Sequence, residues 1–330
     1  MLEFSMIHAD SRRAAVESWV AAQLRGARFS LAPASVDASF RRYFRATLPD
    51  GRSYVVMDAP PGKEDCRPFV HVARLLRAAG VHAPEVHAED LAQGFLLLGD
   101  LGTQTYLQEL NADNAARLLG DATDALLRWQ LATRPGELPP YDEALLRREM
   151  NLFPEWYVAR HLGVELSSAQ KSDLEGIFRL LVKSALAQPA VYVHRDYMPR
   201  NLMVSDPNPG VLDFQDAVLG PITYDMVSLL RDAFVSWDEE RVLDWSVRYW
   251  EKAKRAGLPV ETGFAEFWRA FEWMGLQRHL KVLGIFARIN YRDGKPKYLE
   301  DTPRFLRYAR AVSERYAALV PLARLLDELE

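Results

Sequence analysis

Residues 190–232 read AVYVHRDYMPRNLMVSDPNPGVLDFQDAVLGPITYDMVSLLRD. Two β-rich apolar runs, Val191 to Val193 and Leu202 to Val204, flank a polar loop holding His194, Arg195, Asp196 and Asn201. A short turn from Ser205 to Gly210, with two prolines, then leads into Val211-Leu212-Asp213-Phe214. Turn residues between apolar runs predict a hairpin whose ends carry polar groups. Asp196 and Asn201 stand five residues apart, and Asp213 follows the hairpin. Mg²⁺ takes hard oxygen ligands and keeps part of its shell for phosphate, so Asn201 and Asp213 make a suitable protein share. Asp196 is then left to take a proton from an alcohol.

The rest of the chain is long enough to support such a site. Its 330 residues suffice for two lobes, and a chain of that size buries about 75% of its unfolded surface. Apolar residues make up 49% and charged residues 26%, as in ordinary globular proteins. A net charge of −4 argues against a general nucleic-acid binder and offers no polybasic patch for a membrane. Cys66 is the only cysteine, which excludes an internal disulfide and points to a reducing compartment. No signal-like layout opens the sequence and no apolar run reaches membrane-spanning length, so the expected location is cytoplasmic. No protein partner is evident.

Upstream, an amphipathic pattern over 11–25 predicts a helix ended by Gly26. Strands are expected at Phe29 to Pro33, Phe40 to Leu48 and Ser53 to Asp58, the last two joined at Asp50-Gly51. A helix follows from Glu64 or Asp65 to Ala79, then strands at Val86 to Ala88 and Phe95 to Leu98. Composition turns helical after Gly99-Asp100-Leu101-Gly102, so the expected domains are 1–99 and 100–330. Helices are read over about 113–132, 142–162, 168–187, 239–256 and 264–289, with a short one through Arg231 and one or two over 303–328. The fold class is α+β, with an antiparallel five-stranded first lobe and a mainly helical second lobe.

The H-R-D-x-x-x-x-N pattern of His194 to Asn201, with Asp213-Phe214-Gln215 where D-F-G is usual, resembles the phosphoryl-transfer site of kinases. Together with Leu96-Leu97-Leu98-Gly99-Asp100-Leu101-Gly102 and Gly220-Pro221 through Asp225, it makes the chain similar to the aminoglycoside phosphotransferase and choline kinase type of small-molecule kinases. Asp37-Ala38-Ser39-Phe40-Arg41-Arg42-Tyr43-Phe44-Arg45, Met57 to Pro61, Leu152 to Trp156 and Gly275 to Lys281 resemble the bacterial kinases of the anomeric hydroxyl of N-acetylmuramate and N-acetylglucosamine in cell-wall recycling. The resemblance spans nearly the whole chain and implies a protein-kinase-like bilobal fold, ATP and Mg²⁺.

Residue by residue, it implies Asp196 as base, Asn201 and Asp213 as metal ligands, and His194 and Asp225 as supports of the loop. Ser35, Asp37, Ala38 and Ser39 would cover the nucleotide phosphates, and the backbone of Leu98 and Gly99 would meet the adenine. Glu149, Trp156, Tyr157, Arg278 and Lys281 are the expected sugar contacts: aromatic faces suit sugar rings, and a cation suits the lactyl carboxylate of muramate. The pattern departs from kinases at one place. Met57 and Asp58 stand where a third-strand lysine usually holds the phosphates, leaving Arg45, Lys63 and Arg67 as candidate cations. Another small-molecule kinase (for aminoglycoside, choline or homoserine) and a nucleotide-binding regulator without turnover are the alternative readings.

Overall fold

The computed structural model describes residues 2–35 and 40–329. The chain packs as two compact units, Met1–Glu109 with Leu202–Asp216, and Leu110–Asn201 with Ala217–Glu330. These units do not follow the single expected cut at residues 99 and 100, because the stretch 202–216 pairs with residues of the first unit.

The first unit opens with α1 (Leu2–Gln23), then β1 (Ser30–Ser35), β2 (Arg42–Thr47) and β3 (Ser53–Asp58). Helix α2 (Arg67–Ala78), β4 (Val86–Asp90), β5 (Phe95–Gly99) and the single turn α3 (Tyr106–Glu109) come next. The strands form one antiparallel sheet in the order β1-β2-β3-β5-β4. Alternation sends Phe44 and Ala46 of β2 and Val56 of β3 to the face covered by Val16 and Val20 of α1. Strand β5 lies between two others, and its Phe95-Leu96-Leu97-Leu98 run is buried throughout. Gly94 enters it at φ +73°, and a Cβ there would sit 1.8 Å from the carbonyl oxygen of Ala59. Helix α1 begins nine residues before the expected start at residue 11 and ends at Gln23, two residues before the expected end.

The second unit runs through α4 (Ala115–Leu131), α5 (Glu143–Met150), a π-helix (Phe153–Leu162), α6 (Ser168–Ala187) and β6 (Ala190–Val193). The helical pattern over 142–162 predicts one helix, but α5 stops at Met150. Pro154, in the first turn of the π-helix, has no N–H to donate and its ring opposes the carbonyl four residues back, so regular α-helix cannot pass through it. Asp142 caps α5 by accepting from the Leu145 N–H at 2.8 Å.

The chain then returns to the first unit as the hairpin β7 (Leu202–Met203) and β8 (Gly210–Val211). The Val211 N–H donates to the carbonyl of His82 at 2.7 Å, and the Val204 N–H to that of Gln104 at 2.8 Å. Gly210 is required by the fit, since a Cβ would come 2.9 Å from Leu101 Cδ1 and 3.0 Å from Ser205 Oγ.

The second unit resumes with β9 (Val218–Pro221), α7 (Tyr224–Leu230), α8 (Glu239–Arg255), α9 (Phe264–Asp293), α10 (Thr302–Arg315) and α11 (Val320–Glu328). Strand β9 pairs antiparallel with β6, Val193 opposite Val218. Helix α9 spans 30 residues and is buried on nearly all sides between Met274 and Leu283. A Cβ at Gly284 would lie 2.3 Å from the Leu152 backbone, so the close approach of α9 to the chain before the π-helix depends on that glycine. Among the described residues no helix is long and apolar enough to cross a membrane.

Candidate active site

In the second unit, β6 delivers the chain into the polar loop. Asp225 of α7 is fully buried and accepts from the N–H of His194 at 2.7 Å and of Arg195 at 3.0 Å. Burial pushes the Asp225 carboxyl up to about 7, against the pull of those two donors. His194 is buried, and its Nδ1 faces the N–H of Asp196 at 3.3 Å. Arg195 lies at φ +75°, a conformation that costs a side-chain-bearing residue energy and survives only where the surroundings hold it. Ser228 Oγ donates to the Arg195 carbonyl at 3.3 Å. Asn201 Nδ2 donates to the Asp196 carbonyl at 2.9 Å, which orients the amide and its oxygen. Asp196 itself is partly exposed.

Beneath this loop lies a closed charge network. Glu149, about 5% exposed, accepts from the Arg195 guanidinium, the Tyr141 hydroxyl and Gln277 Nε2 (3.2 Å), and pairs with Lys281 Nζ at 2.9 Å. Burial would raise the Glu149 carboxyl, but Lys281 and Arg195 outweigh it and bring it down to about 2. Burial also opposes the Lys281 ammonium, yet Tyr224 and Glu149 hold it above its ordinary value. Lys281 Nζ donates to the Tyr224 hydroxyl at 3.0 Å. The consequence for the loop is direct: the Arg195 side chain, next in sequence to Asp196, is bound to Glu149.

Of the other residues expected to touch sugar, Trp156 is partly buried, and Tyr157 is buried and stacked on Phe153 with ring centres 5.7 Å apart. Arg278 is 3% exposed, and its Nη2 meets Met198 Sδ at 3.8 Å. Glu149 and Lys281 meet each other. The sequence alone does not reveal this pairing, nor the part of Tyr141 and Gln277. A charged pair spaced across 132 residues leaves no local pattern, although an acidic residue on an otherwise apolar helix face is a usable hint.

In the first unit, the β7–β8 hairpin sets Asp213. It is exposed, lies at φ +62° and accepts from Gln215 Nε2 at 3.1 Å. Phe214 beside it is fully buried against Phe69 of α2, with centroids 4.7 Å apart. The Asp213 carboxylate, like the amide oxygen of Asn201 in the second unit, is by its chemistry a hard donor of the kind Mg²⁺ takes.

Ser35 ends β1 opposite Tyr43, and Asp37, Ala38 and Ser39 lie outside the described residues. Leu98 is buried in β5, and the N–H of Gly99 already donates to the Glu85 carbonyl at 2.8 Å. Met57 is 1% exposed, and Asp58 is fully buried between Arg12 (2.6 Å) and Arg42.

The chain matches the model of a family described as phosphotransferase enzyme family over residues 30–262. It is 60% identical over 301 residues to an N-acetylmuramate/N-acetylglucosamine kinase of Pseudomonas putida, covering 91% of this chain and 88% of the relative. It is 52% identical over 322 residues to one of Neisseria meningitidis serogroup B, covering 96% of each. In fold it is similar to an ADP-bound aminoglycoside phosphotransferase, with TM-score 0.60 and 16% identity over 89% of this chain and 97% of that one. A choline/ethanolamine kinase family protein of Mesorhizobium loti gives TM-score 0.62 and 16% identity over 96% and 99%. The α+β fold is therefore that of the protein-kinase-like phosphotransferases.

Proposed function

The chain belongs to the phosphotransferase enzyme family, and from that premise we propose that it moves the γ-phosphoryl of ATP to the anomeric C1 hydroxyl of N-acetylmuramate and N-acetylglucosamine. The product is the sugar α-1-phosphate, and the setting is cytoplasmic recycling of peptidoglycan. Support for the sugars comes from the names of the relatives at 60% and 52% identity. The observation that carries the chemistry is the loop around Asp196, pinned at His194 and Arg195 by Asp225 and at its own carbonyl by Asn201.

Phosphoryl transfer runs through a loose transition state, so positioning and charge neutralisation do most of the catalysis. Asp196 accepts the proton of the sugar hydroxyl as the new O–P bond forms. An anomeric hydroxyl is more acidic than an ordinary alcohol, which suits a carboxylate base. Glu149 fixes the side chain of Arg195 beside Asp196, and Asp225 holds the loop in its strained conformation. Asn201 and Asp213 are the residues that would hold Mg²⁺, and the ion would supply neutralisation of phosphate charge. Trp156, Tyr157 and Arg278 are proposed to shape the sugar end of the site, and Glu149 and Lys281 to position it from below.

The test is ATP turnover with N-acetylmuramate, N-acetylglucosamine and kanamycin, with Asp196→Asn as control. Expected are sugar-dependent ADP release, an acid-labile phosphate on C1, and a loss of about 10²–10⁴-fold in kcat in the variant. Turnover with kanamycin alone, or ATP binding without transfer to any acceptor, overturns the reading.

A further inference from the structure

Kinase-type sites place a cation on the nucleotide phosphates, usually a lysine of the third strand; here Met57 occupies that strand. The sheet register shows which basic residues can replace it. Tyr43 stands opposite Met57 and Arg42 opposite Asp58. Arg41 immediately precedes β2, and its side chain lines the same cavity as Met57. Arg42 and Arg12 are both paired with Asp58, in register with the face that α1 covers. Arg45, two residues after Tyr43 in β2, shares the face of Met57 but is bound to Asp100 at 2.6 and 3.1 Å and to the Gly102 carbonyl at 2.9 Å. Arg67 is exposed and paired with Asp65, and exposed Lys63 lies over the Phe40 ring. The three cations expected from sequence are thus engaged elsewhere.

Arg41 is engaged too, by Glu64 and Tyr43, but at a cavity. Within the first unit it lines a cavity of about 110 Å³, together with Met57, Glu64, Cys66, Phe69 and Gln215. That is well above the roughly 10–15 Å³ a single water needs. Arg41 Nε lies 3.6 Å from Glu64 Oε2, and the two side chains are 15% and 22% exposed. Burial works against its charge, but Tyr43, Glu64 and Asp213 outweigh it and hold the guanidinium above its ordinary range. Asp213, the expected metal ligand, is therefore within electrostatic reach of Arg41. The other carboxylates at the cavity are Asp65, which is held by Arg67, and Asp216.

We propose that Arg41 is the phosphate-binding cation of this enzyme, with Glu64 as the positioning carboxylate that holds it in the cavity. The assignment rests on the ATP-dependent reading above. It moves the cation from the third strand to the entrance of the second, and exchanges a point charge for a planar fork able to hold two phosphate oxygens.

The test is nucleotide binding by titration calorimetry on the full chain, with Mg–ATP, Mg–ADP and adenosine as ligands. Arg41→Gln is expected to weaken both phosphorylated ligands about 10–100-fold and leave adenosine unchanged. Arg41→Lys is expected to recover part of the loss, and Met57→Lys placed on Arg41→Gln to recover ATP affinity from the usual strand position. Glu64→Gln is expected to raise the KM for ATP severalfold while leaving that for the sugar unchanged. Wild-type ATP affinity in Arg41→Gln overturns the assignment, as does an equal loss for adenosine that Met57→Lys does not repair. A wild-type protein that binds no ATP overturns the phosphotransfer reading itself, a result distinct from either.

Discussion

Two buried carboxylates, one in each unit, are neutralised by two cations apiece, and their surroundings give them different tasks. Asp58 in β3 is fully buried and paired with Arg12 of α1 and Arg42 of β2, whose side chains are 26% and 35% exposed. Glu149 in α5 is paired with Arg195 and Lys281, which are 18% and 9% exposed. The first arrangement ties a helix to a sheet, and its cations keep contact with water. The second is closed, and one of its cations is the residue before Asp196. A carboxylate–cation cluster stabilises in both places, but the one beneath the loop also binds the residue next to Asp196, the proposed base.

The largest expected effect breaks the second cluster. Glu149→Gln leaves Arg195 and Lys281 with too little opposing charge in a dry site, which costs about 3–5 kcal/mol of stability. Because Arg195, the residue before Asp196, is then no longer fixed, kcat is expected to fall as well. Denaturant melts and turnover measured on the same preparation check both. Full turnover in a destabilised variant would reduce Glu149 to the structural role of Asp58.

Next comes the acid limb of stability. The folded Glu149 carboxyl lies at about 2, below its ordinary 4.5. Its contribution is therefore present above pH 4.5 and is lost as pH falls from there toward 2, about 3 kcal/mol in all. Asp225, pushed up to about 7, acts with the opposite sign. Its contribution is present below about pH 3.8 and is lost as pH rises through 7. Thermal melts from pH 3 to 8 are expected to show a steep acid loss in wild type and a shallower one in Glu149→Gln. Identical acid limbs would remove Glu149 from the account.

Asp58→Asn is expected to cost about 1–3 kcal/mol, because its half-exposed arginines can rehydrate. Turnover per folded molecule is expected to stay at the wild-type level. A drop in kcat there would erase the distinction between the two clusters.

How much of the fold and the site is legible in the sequence depends on the range of the forces involved. The Asp50-Gly51 turn, the apolar run of β5 and the loop from His194 to Asn201 are local, and each is written in adjacent residues. The break at Pro154 is also written locally, but the helical pattern on both sides of it covers the signal. Arg41 cannot be separated from Arg42 and Arg45 until register and face are known, since all three lie within five residues. The membership of 202–216 in the first unit depends on backbone bonds to His82 and Gln104. Backbone bonds carry no side-chain signature, and the side-chain contact that joins them, Phe214 on Phe69, spans too many residues to leave a local pattern.

The smallest expected effect sharpens the comparison where it is most specific. Arg195 holds a left-handed backbone at φ +75°, and its carbonyl accepts from Ser228 Oγ at 3.3 Å. No positive φ adjoins Asp58, the last residue of β3. Ser228→Ala removes one hydrogen bond from a buried helix position without adding bulk, so a loss of about 0.5–1.5 kcal/mol is expected. If the strain at Arg195 serves Asp196, kcat falls severalfold while the KM for ATP stays put, because Ser228 acts on the loop and not on the nucleotide. If stability falls by that amount and kcat does not move, Asp225 alone is enough to hold the loop. The positive φ is then a consequence of chain geometry and has no part in the chemistry.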